Sequence, residues 1–143
     1  MMIEGMTMNA DHEEVEKVKA HILETYLNGA FNKRDLSAMR RGFHEDFAIF
    51  SAEGNALGKF PIGEWVGKLE QSLAEGYDAA DEKNRWDHEF AYVDVTGTAA
   101  FVKLRLFNEG VHIYTDFISL LKFDDGWRIS AKIYNQHNER KNW

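Results

Sequence analysis

VHIYTDFISLLKFDDGWRISAKIY, residues 111–134, reads as two long apolar runs folded around a turn. Both runs are rich in β-branched and aromatic residues, which suit a pleated, half-buried surface. Asp124-Asp125-Gly126 between them suits a three-residue hairpin loop with its glycine in the left-handed region. That loop makes Phe123 and Trp127 partners, and the same register carried outward sets Ile118 opposite Lys132 and Asp116 opposite Tyr134. Side chains alternate along a strand, so Asp116, Ile118, Lys132 and Tyr134 share one face. Phe117, Ser119, Leu121, Ile129 and Ile133 share the other.

Working outward, Trp86–Val95 and Thr98–Asn108 read as two further strands, joined at Thr96-Gly97 and at Glu109-Gly110. A two-residue turn at Glu109-Gly110 sets Asp116 opposite Lys103 and Tyr114 opposite Arg105. A three-residue turn moves both basic residues to the opposite face, because a one-residue slip flips every side chain.

The first half of the chain reads as helices. Asp11 with Glu14 resembles a capping box, and Val15, Val18, Ile22, Tyr26 and Ala30 recur at helical spacing to about Lys33. Asp35 can cap a short second helix bearing Leu36, Met39 and Phe43. A strand is expected at Phe47–Ser51 and a loop at Ala52–Lys59. Pro61 suits the first position of a third helix that Gly76 would end. Residues 77–85 read as a polar loop. Helices first and a strand meander later indicate an α+β domain, with helices on one sheet face. The expected organisation is a flexible lead-in at 1–10, one domain at 11–138 and a tail at 139–143.

The length of 143 residues and the 44% hydrophobic content fit one globular domain. The net charge of −7 makes nucleic acid and anionic membranes poor partners. There is no cysteine, so disulfides and thiolate chemistry are excluded. The absence of a secretory leader or a long apolar run leads to the expectation of a cytoplasmic protein. The six histidines show no metal-ligand spacing, and neither a metal nor a cofactor is expected.

The chemistry lies in charges set inside apolar strands. Asp116 and Lys132 must be paired or wet, since an isolated buried charge is strongly disfavoured. Lys103 is a second candidate partner for Asp116. Tyr26, on the apolar stripe of the first helix, needs a hydrogen-bond partner for its hydroxyl if buried. Trp65 and Tyr134 could line a cavity. His44, at the start of the strand after the second helix, could look into one. The candidate ligand-binding set is therefore Tyr26, His44, Trp65, Lys103, Asp116, Lys132 and Tyr134, with Asp116 and His44 as candidate acid/base groups.

These segments resemble the nuclear transport factor 2-like (NTF2-like) superfamily. Residues 111–134 resemble its C-terminal hairpin, and more narrowly that of the putative lumazine-binding family. YLNGAFNKRDLSAMRRGFHEDF (residues 26–47) is similar to its N-terminal helix pair, and DVTGTAAFVKLRL (residues 94–106) to its central hairpin. The resemblance runs over about residues 12–136. It implies a cone, with three N-terminal helices packed in a strongly curved, mainly antiparallel sheet and a cavity at the open end. It also implies a homodimer through the outer sheet face.

The superfamily includes ketosteroid isomerase, polyketide cyclases and dehydratases, and many binding domains, so fold alone does not assign function. Aligning FHEDFAIFSAEG (residues 43–54) to the isomerase strand puts Ser51 where the catalytic aspartate belongs, so steroid isomerisation by that mechanism is not expected. The expectation is a domain holding a small, largely apolar molecule. One alternative is a lyase or isomerase of the polyketide-cyclase kind using Asp116 or His44, with Lys132 or Tyr134 as electrostatic stabiliser. Another is a non-catalytic dimeric interaction domain.

Overall fold

The computed structural model describes residues 4–140. Residues 1–3 of the expected lead-in and 141–143 of the expected tail lie outside the described residues.

The first helix, α1 (Glu4–His21), starts upstream of Asp11, so the backbone of residues 4–10 belongs to the helix and Asp11 lies within it rather than at its start. It runs without a break into a wider π-helical segment, Ile22–Asn32. A π-helix is rare and tends to occur where function needs a local widening. Thr25, Tyr26 and Leu27, then Gly29, Ala30 and Phe31, are buried along it. The regular 3.6-residue stripe expected from Asp11 to Lys33 is thus replaced over about its second half.

Asp35 caps α2 (Leu36–Gly42) as expected, its carboxylate accepting from the Ala38 amide at 3.1 Å. Gly42 lets α2 lie against the π segment: a Cβ there would meet the Thr25 side chain at about 2 Å. β1 (Phe43–Glu53) and β2 (Ala56–Pro61) form a hairpin about Gly54-Asn55. The expected loop is in fact mostly strand: β1 takes its first two residues and β2 its last four. Gly58 and Lys59 hide a second strand that is short, edge-placed and half exposed. Pro61 then directly precedes α3 (Ile62–Ala74), one residue before the helical position expected for it and without a side-chain capping bond, and Gly76 follows the helix end at φ +96°.

The strands β3 (Trp86–Thr96), β4 (Ala99–Asn108), β5 (Val111–Phe123) and β6 (Gly126–Gln136) form a meander. The sheet order is β2-β1-β6-β5-β4-β3, with β1 and β6 parallel and every other pair antiparallel. The helices cover one face. The core between them includes Val18, Ile22, Leu27, Met39, Phe47, Leu104, Leu106, Ile118, Leu120 and Ile129.

Two β-bulges set the registers of the β4–β5 and β5–β6 pairs. The last hairpin closes with Phe123 opposite Gly126, not Trp127, so the turn is one residue shorter than expected. An extra residue at Ser130 then restores the expected outer pairs, Ile118 with Lys132 and Asp116 with Tyr134. The bulge carries Ile129 to the helix-covered face beside Leu120, which corrects its expected position on the outer face. The Glu109-Gly110 turn has two residues, with Asn108 opposite Val111. A bulge at Ile113 shifts the pairing, so Asp116 faces Leu104, and Lys103 faces Phe117.

Candidate functional site: a buried Lys–Tyr–Asp chain in an aromatic cavity

Three polar side chains meet beneath the helices. Tyr26 comes from the π segment, Asp116 from the middle of β5 and Lys132 from β6. The Tyr26 hydroxyl donates to Asp116 Oδ2 at 2.5 Å, and Lys132 Nζ donates to the same hydroxyl at 2.8 Å. Lys132 Nζ lies 3.9 Å from Asp116 Oδ2. Asp116 and Lys132 are 1% and 6% exposed, so this is an interior ion pair bridged by a phenol.

The bulge at Ser130 is what brings Lys132 inside. Ile129 faces the core below it; with unbroken alternation Ala131 would face inward and Lys132 outward. The ammonium is ringed by aromatics, 4.8 Å from the Tyr26 and Trp65 ring centres and 5.2 Å from that of Tyr134. Such a cage favours the charged form. Burial acts the other way and lowers the Lys132 pKa, with the Asp116 charge opposing. Burial pushes the Asp116 carboxyl up, opposed by Lys132 and by the Tyr26 hydrogen bond. Tyr26 is held well above its ordinary range by burial and then by the neighbouring carboxylate. Asp116 Oδ1 is buried with no hydrogen-bond partner. An orphaned acceptor of this kind costs about 1–3 kcal/mol and signals an unused binding capacity.

The three groups lie on the wall of a cavity of about 600 Å³. Its apolar lining includes Ala30, Phe31, Ile49, Phe60, Trp65, Leu69, Tyr77, Tyr114 and Tyr134. Five of the seven expected ligand-binding residues meet here: Tyr26, Trp65, Asp116, Lys132 and Tyr134. Ser51 is exposed and also borders the cavity.

His44 and Lys103 do not. Phe43 takes the inward position at the start of β1, so alternation turns His44 away. It stacks on Phe123 at 5.0 Å and accepts the Asp46 amide at Nδ1. It borders a shallow hollow with Lys122 and Arg128 instead. Lys103 is carried to the outer face by the Ile113 bulge and sits 5.8 Å over the Phe117 ring.

The sequence reading missed Tyr114 and Arg34. Tyr114 was within reach: it lies two residues before Asp116 on one strand and so shares its face. Arg34 gave no signal, since Lys33-Arg34-Asp35 looks like a solvated connector. Among the described residues, no group of three or more potential metal ligands occurs, and no helix is long and apolar enough to cross a membrane.

Three helices packed on a six-stranded, mostly antiparallel mixed sheet define an NTF2-like α+β protein. Residues 10–135 match the family described as putative lumazine-binding, and the chain belongs to that family. A curated relative, Aldolase FrzH from Cladobotryum sp, is 27% identical over 109 residues, which cover 76% of this chain and 81% of that protein. An NTF2-like protein of unknown function from Silicibacter pomeroyi DSS-3 superposes with a TM-score of 0.68 at 21% identity, covering 88% of this chain and 98% of that one. Another of unknown function, from Shewanella baltica OS155, gives 0.66 at 26% identity, covering 87% and 97%.

Proposed function

We propose that the protein holds a small, largely apolar carbonyl compound in the cavity and acts on it as an acid–base lyase or isomerase. The observation that carries this reading is the Asp116 carboxylate, its Oδ1 without a hydrogen-bond partner and its Oδ2 3.9 Å from the Lys132 ammonium, with both residues on the wall of one aromatic cavity. Enolisation needs this pairing: a base for the proton next to the carbonyl, and a fixed positive charge where the enolate oxygen develops. Asp116 Oδ1 is the base. Lys132, with donors beyond the one given to Tyr26, is the electrostatic stabiliser. Tyr26 bridges the two and can pass a proton between them.

Burial supports the assignment twice. A raised carboxyl pKa makes Asp116 a stronger base than an ordinary aspartate, and water exclusion strengthens the field of Lys132. The relative named as an aldolase supports the same class, since aldol chemistry passes through an enolate equivalent. A cavity filled by its own side chains would favour a purely structural role; about 600 Å³ of open volume favours a ligand. A second copy of the chain is the proposed partner of the outer sheet face.

The test is proton exchange. Aryl methyl ketones incubated with the protein in deuterium oxide should lose their α-proton NMR signals faster than with buffer. Asp116→Asn should abolish the effect and Lys132→Met should reduce it strongly. Exchange that survives Asp116→Asn would sink the assignment.

A further inference from the structure

The cavity carries a second charged group that the Lys–Tyr–Asp chain does not use. Arg34 is 8% exposed and lines the cavity. Its guanidinium stacks 3.8 Å over the Tyr77 ring, Nε donates to the Ala30 carbonyl and Nη1 to Ser72 Oγ. These are all neutral partners. Among the described residues no carboxylate lies within ion-pair distance of it, and burial lowers its pKa below the ordinary arginine value. Buried charges are ordinarily paired, so an interior guanidinium with donors to spare lacks its counterion.

The placement is held at some strain. Arg34 sits at φ +49°, a left-handed conformation that favours glycine. The surrounding cavity repeats the sign: Lys59, Lys68 and Arg140 also line it, against Glu53 as the other acid besides Asp116. The chain as a whole is at −7, so positive charge is concentrated here against the average.

We propose that Arg34 seats an anionic group of the ligand, a carboxylate or comparable oxyanion, while the apolar body extends through the aromatic cavity toward Asp116 and Lys132. This rests on the reading of the cavity as the ligand site, and it narrows the substrate class to amphiphilic acids. Arg34 stands just past the end of the π-helical segment that carries Tyr26, and both line the one cavity, so a single ligand can reach both groups. A guanidinium suits this role because its planar fork meets an oxyanion with two parallel hydrogen bonds.

Two dyes of one shape test it. 8-Anilinonaphthalene-1-sulfonate carries a sulfonate, and N-phenyl-1-naphthylamine is the same skeleton without it. Fluorescence titration of the wild-type chain should show the sulfonate binding about tenfold tighter or more, as a buried charge-assisted pair implies. Arg34→Met should bring the two affinities together by weakening the sulfonate alone. Lys103→Met, on the outer face, should change neither. In the wild type, the Arg34 Nε–H resonance should shift with the sulfonate and stay put with the neutral dye, a readout that needs no variant to fold. Equal affinities, a preference that survives Arg34→Met, or an unmoved Arg34 resonance would overturn the proposal and leave the cavity as a ligand site. Failure of both dyes to bind would remove the cavity reading and this proposal with it.

Discussion

Tyr26 and Asp116, 90 residues apart in the chain, share a buried hydrogen bond of 2.5 Å that ties the π-helical segment to the middle of the sheet. It joins the helical and sheet halves through polar atoms inside an otherwise apolar core. Lys132 completes the link, and each of the three is badly placed without the other two.

Breaking the link at one point should therefore destabilise the fold. Asp116→Asn leaves the Lys132 ammonium without its counterion, and Lys132→Met leaves the Asp116 carboxylate without one. Each should lower stability by about 3–5 kcal/mol in chemical denaturation. Arg128→Ala, at the surface beside Asp125, should stay within about 0.5 kcal/mol of wild type. If Asp116→Asn is equally harmless, the pair is hydrated and the interior description fails.

Replacing all three polar groups at once should behave differently. Tyr26→Phe, Asp116→Leu and Lys132→Met together remove the desolvated charges and leave none unpaired. Such exchanges range from neutral to stabilising by about 1–4 kcal/mol. Thermal unfolding should show the triple variant above either single variant, while α-proton exchange disappears. That combination separates the chemical role of the site from its structural one.

Turnover should depend on pH with both limbs moved inward. Burial raises the Asp116 carboxyl and lowers the Lys132 ammonium, so the base is lost at a higher pH than for ordinary aspartate and the cation at a lower pH than for ordinary lysine. The two titrate as a coupled pair, and the limbs belong to the pair rather than to one residue. A rate flat from pH 4 to pH 10 would contradict this.

Acid stability should report on a different contact. Glu14 receives Lys122 Nζ at 2.7 Å, Trp127 Nε1 at 2.9 Å and Lys17 at 3.1 Å, which fastens α1 to the last hairpin. These hydrogen bonds, led by Lys122, lower its pKa from 4.5 to about 2. A depressed carboxyl pKa contributes stability that is whole above the unfolded value and is lost as pH falls through the folded one. Wild type should therefore lose stability between about pH 4.5 and pH 2, and Glu14→Gln should flatten that part of the curve. Equal slopes for both would show that the contact does not persist in solution.

The outer sheet face should bring two chains together. Tyr92, Phe101, Leu121 and Ile133 are exposed there, with Ile133 at 53% and Tyr92 at 55%. Phe101 stacks on Phe117 at 6.2 Å between its ring centres, extending one apolar surface. Light scattering should give about twice the chain mass of 16.5 kDa, and Ile133→Glu should halve it without changing dye binding in the cavity. A wild-type monomer at micromolar concentration would rule this out.

Local patterning determined the order of the elements other than β2, the Asp35 cap, the Gly76 stop and the four-strand meander, because each depends on residues a few positions apart. It also joined Asp116, Lys132 and Tyr134 on one face, although by a different route: a shorter turn and a compensating bulge at Ser130 gave the same pairs. What distant packing decides was not legible there. The Ile113 bulge sent Lys103 outside, and β2 formed only because β1 offered an edge to pair with. Arg34 is the clearest case. Its three-residue connector has the composition of a surface turn, and only the return of Ser72 and Tyr77 against it makes it a buried charge facing a cavity. Periodicity records which side of an element faces the core. The neighbour that arrives from many residues away decides whether a charge on that side is solvated, paired or waiting for a ligand.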